Sequence, residues 1–169
     1  LQQPVTELAA LRGRAADITG RTVTHGTVPL GAGRSVEIDL ELDVTGASDA
    51  WLSLCRGNVK GALQEVRIGV IPGSGVFYLD RTSGGLQNVP GREGGQVPFA
   101  LRREVPYHPV GGKVRLHVYI DRSSVEVFVD DGAPTGTLLA FADPQAQGLA
   151  LGAHGTARVI SGAVTPLAR

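Results

Sequence analysis

Six residues of this sequence combine the acidic, basic and aromatic side chains that could recognise a polyhydroxylated ligand. They are Arg67, Tyr78, Asp80, His117, Tyr119 and Glu126. An aromatic ring can cover the apolar side of a sugar ring, while a carboxylate or a guanidinium forms charge-assisted hydrogen bonds with adjacent hydroxyls. These residue types therefore indicate sugar binding.

Glycosidase chemistry would use some of the same residues, because it requires two carboxyl groups ~5–9 Å apart across the scissile bond. Asp80 has Arg67 and Arg81 close to it, and Asp121 directly precedes Arg122. A neighbouring positive charge keeps a carboxyl group ionised, which makes it a poor proton donor. We therefore expect binding and no catalytic residues in this chain.

Residues 114–129 predict a β-hairpin, since two alternating runs flank a polar break at 121–124. Pairing Ile120 with Val125 places an apolar set on one face, and a shift of one residue would mix valines with charges. The predicted inward residues are Leu116, Val118, Ile120, Val125, Val127 and Val129. On the opposite face His117 lies opposite Phe128, and Tyr119 lies opposite Glu126.

Residues 66–70 and 76–80 predict a second hairpin around the Pro-Gly-Ser-Gly turn at 72–75. Pairing Ile71 with Val76 places Arg67 opposite Asp80 on the outer face, with Tyr78 beside them. If the two hairpins are neighbours in one sheet, the six candidate residues form one shallow pocket. The alternative is that the Asp-Arg pairs at 80–81 and 121–122 hold the hairpin ends together.

Further short strands indicate the fold class. We expect strands at 34–44, 51–56, 137–141, 148–153 and 157–164, an edge segment at 98–109, and an irregular loop at 83–95. The acids between 37 and 43 are expected on a solvated outer face, and Trp51 in the core. The pattern favours an all-β protein, a two-sheet antiparallel β-sandwich of the jelly-roll, concanavalin-like type.

Composition excludes several classes of partner. The 169 residues include 16 basic and 16 acidic ones, giving a formal net charge of zero, so nucleic acid and anionic membranes are not expected as partners. The single cysteine, Cys55, is expected to be a buried, inert thiol. The four histidines lack metal-ligand spacing, and residues 130–132 read as a turn, so neither a metal nor another cofactor is expected.

Three segments carry a resemblance to a known family. Residues 121–129 read DRSSVEVFV and are followed by DDG, residues 77–84 read FYLDRTSG, and residues 1–12 read LQQPVTELAALR. Together they resemble the C-terminal β-sandwich of glycoside hydrolase family 32, which includes levanases, inulinases and invertases. The same sandwich is similar to the fructan-binding family 66 carbohydrate-binding modules. The resemblance implies a linker from a catalytic propeller at 1–15 and a sandwich domain at 16–169.

The resemblance also implies what the chain does. The catalytic carboxylates of family 32 lie in the propeller motifs Asn-Asp-Pro-Asn, Arg-Asp-Pro and Glu-Cys, and none of these motifs occurs here. We therefore expect a non-catalytic domain of a secreted, extracellular enzyme. Its expected partners are a fructan or fructose ligand and the catalytic propeller. Two functions stay open, namely binding of terminal fructosyl units and purely structural support of the propeller.

Overall fold

The computed structural model describes Pro4, residues 6–132 and residues 134–168. The rest of the opening segment 1–5, and Arg169 at the end of the predicted sandwich domain, lie outside the described residues. The division of the chain at residue 15 stays a prediction. Short 3-10 helices span Thr6–Leu11 and Pro72–Ser74. The strands are β1 (Ala16–Asp17), β2 (Thr22–Ala32), β3 (Ser35–Val59), β4 (Ala62–Ile71), β5 (Val76–Asp80), β6 (Asn88–Pro90), β7 (Gln96–Pro98), β8 (Arg102–Pro106), β9 (Lys113–Asp121), β10 (Ser124–Val129), β11 (Thr135–Leu139) and β12 (Gly148–Pro166).

Two long strands, β3 and β12, build both layers of an antiparallel sandwich. Residues 35–43 of β3 pair with β9, and residues 50–59 pair with β4. β12 follows β3 along most of its length and adds β1 in one layer and β2 in the other. The first layer runs β11–β10–β9–β3–β12–β1, and the second runs β8–β5–β4–β3–β12–β2. The predicted all-β sandwich is confirmed.

The prediction of separate strands at 34–44 and 51–56, and at 148–153 and 157–164, was wrong. Each pair is one continuous strand that bends between the layers. The pairing of β12 with β3 changes register between His154 and Gly155 and again between Thr156 and Arg158. Gly155 has φ of 90° and approaches Gly46 so closely that a Cβ would collide with its carbonyl oxygen. Gly46 and Gly155 therefore lie at a bulge in the β3–β12 pairing.

Both predicted hairpin registers are confirmed. In β9–β10, Ile120 pairs with Val125 and Tyr119 pairs with Glu126. In β4–β5, Ile71 pairs with Val76 and Arg67 pairs with Asp80. The six inward residues predicted for the β9–β10 hairpin are each at most 1 % exposed. They form one core cluster with Ile68, Val70 and Phe77 of the opposite layer, so period-two alternation was sufficient to identify this part of the core.

Trp51 is buried, as predicted, but it lies on the outer face of the second layer. Its ring lies over Gly152, where a Cβ would collide with the indole, and the His154 ring is 5.2 Å away, centroid to centroid. The Arg67 guanidinium lies 4.6 Å from the centre of the Trp51 ring. Trp51 is therefore buried on the outer face because Gly152 lets its ring lie flat on the sheet and because His154 and Arg67 cover the ring.

The connecting segments agree in part with the sequence-based predictions. β8 pairs with β5 within the described part of the chain, as expected for an edge segment. The predicted irregular loop at 83–95 includes β6, which forms a small hairpin with β7. Cys55 is 7 % exposed, and burial raises the pKa of its thiol, which disfavours the reactive thiolate. None of the described helices has the length and apolar character to span a bilayer.

The hairpin core gives a direct test of the fold. Val127 is 1 % exposed, so Val127→Ala is expected to lower the free energy of unfolding by about 1–3 kcal/mol through lost burial and a new cavity. Urea denaturation measures this change. Val110→Ala is the matched control, because Val110 is 80 % exposed and should change stability by less than about 0.5 kcal/mol. Equal effects of the two substitutions would contradict the assigned core.

Candidate functional site

The six candidate residues lie on opposite outer faces of the sandwich and do not form one pocket. His117, Tyr119 and Glu126 lie on β9 and β10 in the first layer, whereas Arg67, Tyr78 and Asp80 lie on β4 and β5 in the second. The two hairpins attach to different halves of β3. The condition for a shared pocket, that the hairpins are neighbours in one sheet, is therefore not met.

In the first layer, His117 and Tyr119 both contact Glu37, which is 3 % exposed. Tyr119 donates its hydroxyl to Oε1 of Glu37 at 2.8 Å, and Nε2 of His117 lies 2.6 Å from the same oxygen. Arg12 binds this carboxylate in a bidentate manner, with Nε 2.5 Å from Oε2 and Nη2 2.5 Å from Oε1. The carboxylate is thus held by three side chains, one from residues 6–13, which we call the N-terminal segment, and two from β9.

The pKa of Glu37 reflects this environment. Burial raises the pKa, but hydrogen bonds from Arg12, His117 and Tyr119 outweigh burial and lower it from 4.5 to about 2. Burial and the Glu37 carboxylate raise the pKa of Tyr119 to about 12, so its hydroxyl stays protonated and donates. The expectation that Glu37 belongs to a solvated outer face was wrong. Arg12 covers it, and Arg12 belongs to the N-terminal segment.

We call Glu37 with its partners Arg12, His117 and Tyr119 the Glu37 cluster. It attaches the N-terminal segment to the sandwich. The backbone of the segment is also paired, since Gly13 donates to the Pro166 carbonyl at 2.8 Å and Ala168 donates to the Leu11 carbonyl at 2.7 Å. A groove of about 520 Å³ remains between this segment and the β9–β10 hairpin. Exposed Glu126 lines it together with Leu8 and Leu11. Glu126 is accessible for a ligand, whereas Nε2 of His117 and the hydroxyl of Tyr119 are bound to Glu37.

In the second layer, Glu65 plays a similar part and is also 3 % exposed. Arg67 donates to its Oε1 from Nε at 2.6 Å, and Ser53 donates to its Oε2 at 2.7 Å. Nε of Arg56 lies 3.3 Å from the same Oε2. The Trp51 indole donates to Ser53 at 3.2 Å, which extends the network to the aromatic ring. This network fixes the Arg67 guanidinium in one position.

Asp80 lies beside this network on the outer end of β5. Its Oδ1 accepts from the backbone and the hydroxyl of Thr82 at 2.8 and 2.6 Å, and its Oδ2 is 3.7 Å from Nη1 of Arg102. A small cavity of about 130 Å³ is lined by Glu65, Arg67, Asp80, Thr82 and Ser83. It presents carboxylates, a guanidinium and hydroxyls in one place, which suits neighbouring hydroxyls of a ligand.

Tyr78 is buried beneath Arg102 and does not line the cavity. It is 1 % exposed, and its ring lies over Gly69, where a Cβ would collide with the ring. The Arg102 guanidinium is 3.8 Å from the ring centre, and the hydroxyl donates to Asp49 at 2.9 Å. Burial raises the pKa of Asp49 and that of Tyr78. Tyr78 is therefore close to the cavity without offering an open ring face.

The Asp-Arg pairs hold the ends of the hairpins, as the structural alternative proposed. Arg81 donates to the carbonyls of Phe99 and Leu139 at 2.6 and 3.1 Å, which joins the two layers. Asp121 accepts from the Ser35 hydroxyl at 2.7 Å, and the Arg122 backbone donates to the Arg34 carbonyl at 2.8 Å. Asp80 combines this role with its place in the cavity.

The sequence analysis missed Arg12, Glu37 and Glu65 as members of these clusters. Alternation placed Glu37 on an outer face together with Asp39 and Glu41, and it gave no signal that the N-terminal segment would cover only the first of these acids. Glu65 stands two residues before Arg67, and this spacing on a strand was an available signal. Within the described part of the chain, no group of His, Cys, Asp and Glu side chains is arranged to hold a metal ion.

The Glu37 cluster predicts an acid-dependent loss of stability. The pKa of this carboxyl is lower in the folded chain than its ordinary 4.5, so its contribution is complete above pH 4.5 and is lost as the pH falls towards 2. Because Arg12 is half-exposed, Glu37→Gln is expected to cost on the order of 2 kcal/mol at pH 7. The variant should also flatten the stability profile between pH 4.5 and 2.

Denaturation at several pH values measures this effect. Glu41→Gln is the matched control, because Glu41 is a partly exposed acid on the same face of β3. An unchanged pH profile in Glu37→Gln would contradict the assigned cluster.

The chain is similar to domains of known proteins along almost its whole length. It is 31 % identical over 173 residues to a levanase of Bacillus subtilis (strain 168), which covers 99 % of this chain and 24 % of the levanase. It is 31 % identical over 169 residues to a sucrose-6-phosphate hydrolase of Escherichia coli, which covers 99 % of this chain and 31 % of that protein. The chain therefore spans about a quarter to a third of these relatives.

The fold agrees with this relationship. The crystal structure of an exo-inulinase from Aspergillus awamori superimposes with a TM-score of 0.79 at 24 % identity, over 99 % of this chain and 32 % of that one. A family model described as "Glycosyl hydrolases family 32 C terminal" matches residues 7–166. The chain therefore belongs to the C-terminal domain family of glycosyl hydrolase family 32, and on its own it is an accessory domain.

Proposed function

We propose that this chain is the accessory domain of a secreted, extracellular enzyme that hydrolyses β-fructosyl bonds, and that it binds a terminal fructosyl unit of a fructan. The ligand site is the cavity of the second layer between Arg67 and Asp80. The relatives described as levanase and exo-inulinase support a fructan as the ligand class. The rest of the enzyme supplies the catalytic carboxylates.

The observation that carries this proposal is the buried Glu65 network behind a guanidinium and a carboxylate that are both partly exposed. Glu65 holds Arg67 in place from behind, while the side chain of Arg67 stays 36 % exposed and that of Asp80 16 % exposed. Groups that are fixed before the ligand arrives lose little conformational entropy on binding. A guanidinium donates to hydroxyl oxygens and a carboxylate accepts from hydroxyl hydrogens, so the pair matches adjacent hydroxyls.

The size of the cavity favours the end of a chain over its middle. Its volume of about 130 Å³ is below the ~300–1,000 Å³ of pockets for drug-sized ligands. Arg67 covers the ring of Trp51 and Arg102 covers the ring of Tyr78, so these rings do not form a flat platform for several sugar units. Recognition therefore depends on hydroxyl groups presented at one position, which suits a terminal unit.

A second candidate function is structural support of the catalytic propeller. It is favoured by the Glu37 cluster, in which Arg12 of the N-terminal segment binds a buried carboxylate. In this proposal the N-terminal segment acts as the linker to the propeller. A rigid attachment at this point would fix the orientation of the two domains. The two functions use opposite layers, so they do not exclude each other.

Titration calorimetry of the isolated chain with levan, inulin and fructose tests the binding proposal. Asp80→Asn should lower the affinity at least about tenfold, because it removes a charge-assisted hydrogen bond worth about 1.5–3 kcal/mol. The amide can still accept from Thr82, so the turn should persist. Glu126→Gln is the matched control in the opposite layer and should leave the affinity unchanged. A loss with Glu126→Gln alone would place the ligand in the first-layer groove instead.

Support of the propeller is tested in the longer enzyme. Glu37→Gln should lower the melting temperature of the catalytic domain and leave the fructan affinity of the isolated chain unchanged, because the Glu37 cluster and the cavity lie on opposite layers. Scanning calorimetry measures the first effect and titration calorimetry the second. Glu41→Gln serves as the control. An unchanged melting temperature of the catalytic domain would contradict the supporting role.

A further inference from the structure

An exposed apolar surface lies at the end of the sandwich where Asp80 is located. It consists of Leu86, Phe99, Leu139 and Phe141, and we call it the aromatic patch. Leu139 and Phe141 are each 47 % exposed and Leu86 is 36 % exposed. The rings of Phe99 and Phe141 are 5.4 Å apart, centroid to centroid, with their planes at 35°. Phe141 lies outside the strands, and its exposure is not required by the packing of the sandwich.

The aromatic patch is held in a defined shape. The Arg81 guanidinium lies 3.7 Å from the centre of the Phe99 ring and donates to the Phe99 carbonyl. The same side chain donates to the Leu139 carbonyl at 3.1 Å, so one arginine fixes both sides of the patch. Aromatic rings that are ordered without a ligand provide contact area at low entropic cost.

Gln87 connects the aromatic patch to the cavity. Its side-chain amide donates to the carbonyl of Thr82, which lines the cavity, at 3.2 Å. The backbone carbonyl of Gln87 accepts from the backbone N–H of Phe99 at 2.7 Å. Gln87 therefore lies between Thr82 of the cavity and Phe99 of the aromatic patch, on the path that a longer ligand would follow. The exposed Gln87 also offers polar groups on this path.

The geometry points to a second contact site for the fructan, in which Phe141 packs against the apolar side of a sugar unit further along the chain. This inference rests on the proposed binding of the terminal unit in the cavity. The occupant is a sugar because the patch pairs the exposed ring of Phe141 with the amide of Gln87, beside a cavity lined by hydroxyl-binding groups. The cavity would then select the chain end, and the aromatic patch would add affinity for longer ligands.

Titration calorimetry of the whole chain with fructose and with fructo-oligosaccharides of increasing length tests the second contact site. In the wild type, affinity should rise with length beyond the first unit. Phe141→Ala should lower the affinity for the longer oligosaccharides about three- to tenfold and leave fructose binding unchanged. Phe141→Tyr should retain the wild-type affinity, because it keeps the ring. Phe128→Ala, a partly exposed phenylalanine of the first layer, is the matched control and should have no effect.

The outcomes separate this inference from the proposed function. Unchanged oligosaccharide affinity in Phe141→Ala, with fructose still bound, overturns the second contact site alone and leaves a protein partner as the occupant of the aromatic patch. An equal loss for fructose and for oligosaccharides also overturns it, because the ring would then act on the cavity. If the wild type binds neither ligand, the proposed function fails and the second contact site fails with it.

Discussion

The structure depends on the continuous pairing of β3 with β12, because these two strands pass through both layers. Each other strand of the sandwich is connected to one half of this pair, either directly or through the strands between them in the sheet. The alternation of β3 is interrupted at the bend, where Ala47 is buried, and resumes beyond it, so Leu40 faces inward in the first layer and Leu52 faces inward in the second. The same backbone therefore sets the distance between the layers and places the two outer faces on opposite sides of one core. Close packing of that core couples the layers.

Each outer face is organised by one buried carboxylate. Glu37 and Glu65 are both 3 % exposed, and each is neutralised by arginine. A buried charge without partners would cost several kcal/mol, so the surrounding donors are under strong constraint. The origin of the donors differs. Glu37 is bound by Arg12, which is 25 positions away and belongs to the N-terminal segment, whereas Glu65 is bound by Arg67 of the same strand. The first cluster joins distant parts of the chain, and the second prepares a local surface.

This difference gives the two faces separate uses in the proposed function. The first layer carries the attachment to the N-terminal segment, where His117 and Tyr119 are occupied by Glu37. The second layer carries the cavity, where Arg67 and Asp80 keep exposed atoms. Asp80 belongs to an Asp-Arg motif whose arginine joins the layers, so the motif combines a structural and a binding residue. The family match identifies which domain this chain is, and the arrangement of Arg67 and Asp80 supports the proposed ligand.

The sequence alone determined the sandwich, the registers of both hairpins and their inward faces, because period-two alternation permits only one register with a dry face. It also determined which residue types could bind a sugar. Only the tertiary structure decided which of them share a site. Whether β3 ends or bends at Gly46 depends on its bulged pairing with β12, more than 100 positions away. The covering of Glu37 by Arg12, and of Trp51 and Tyr78 by arginines, likewise arises from long-range packing. Local pattern assigns a face to a side chain, but contacts between distant segments decide whether that face meets water.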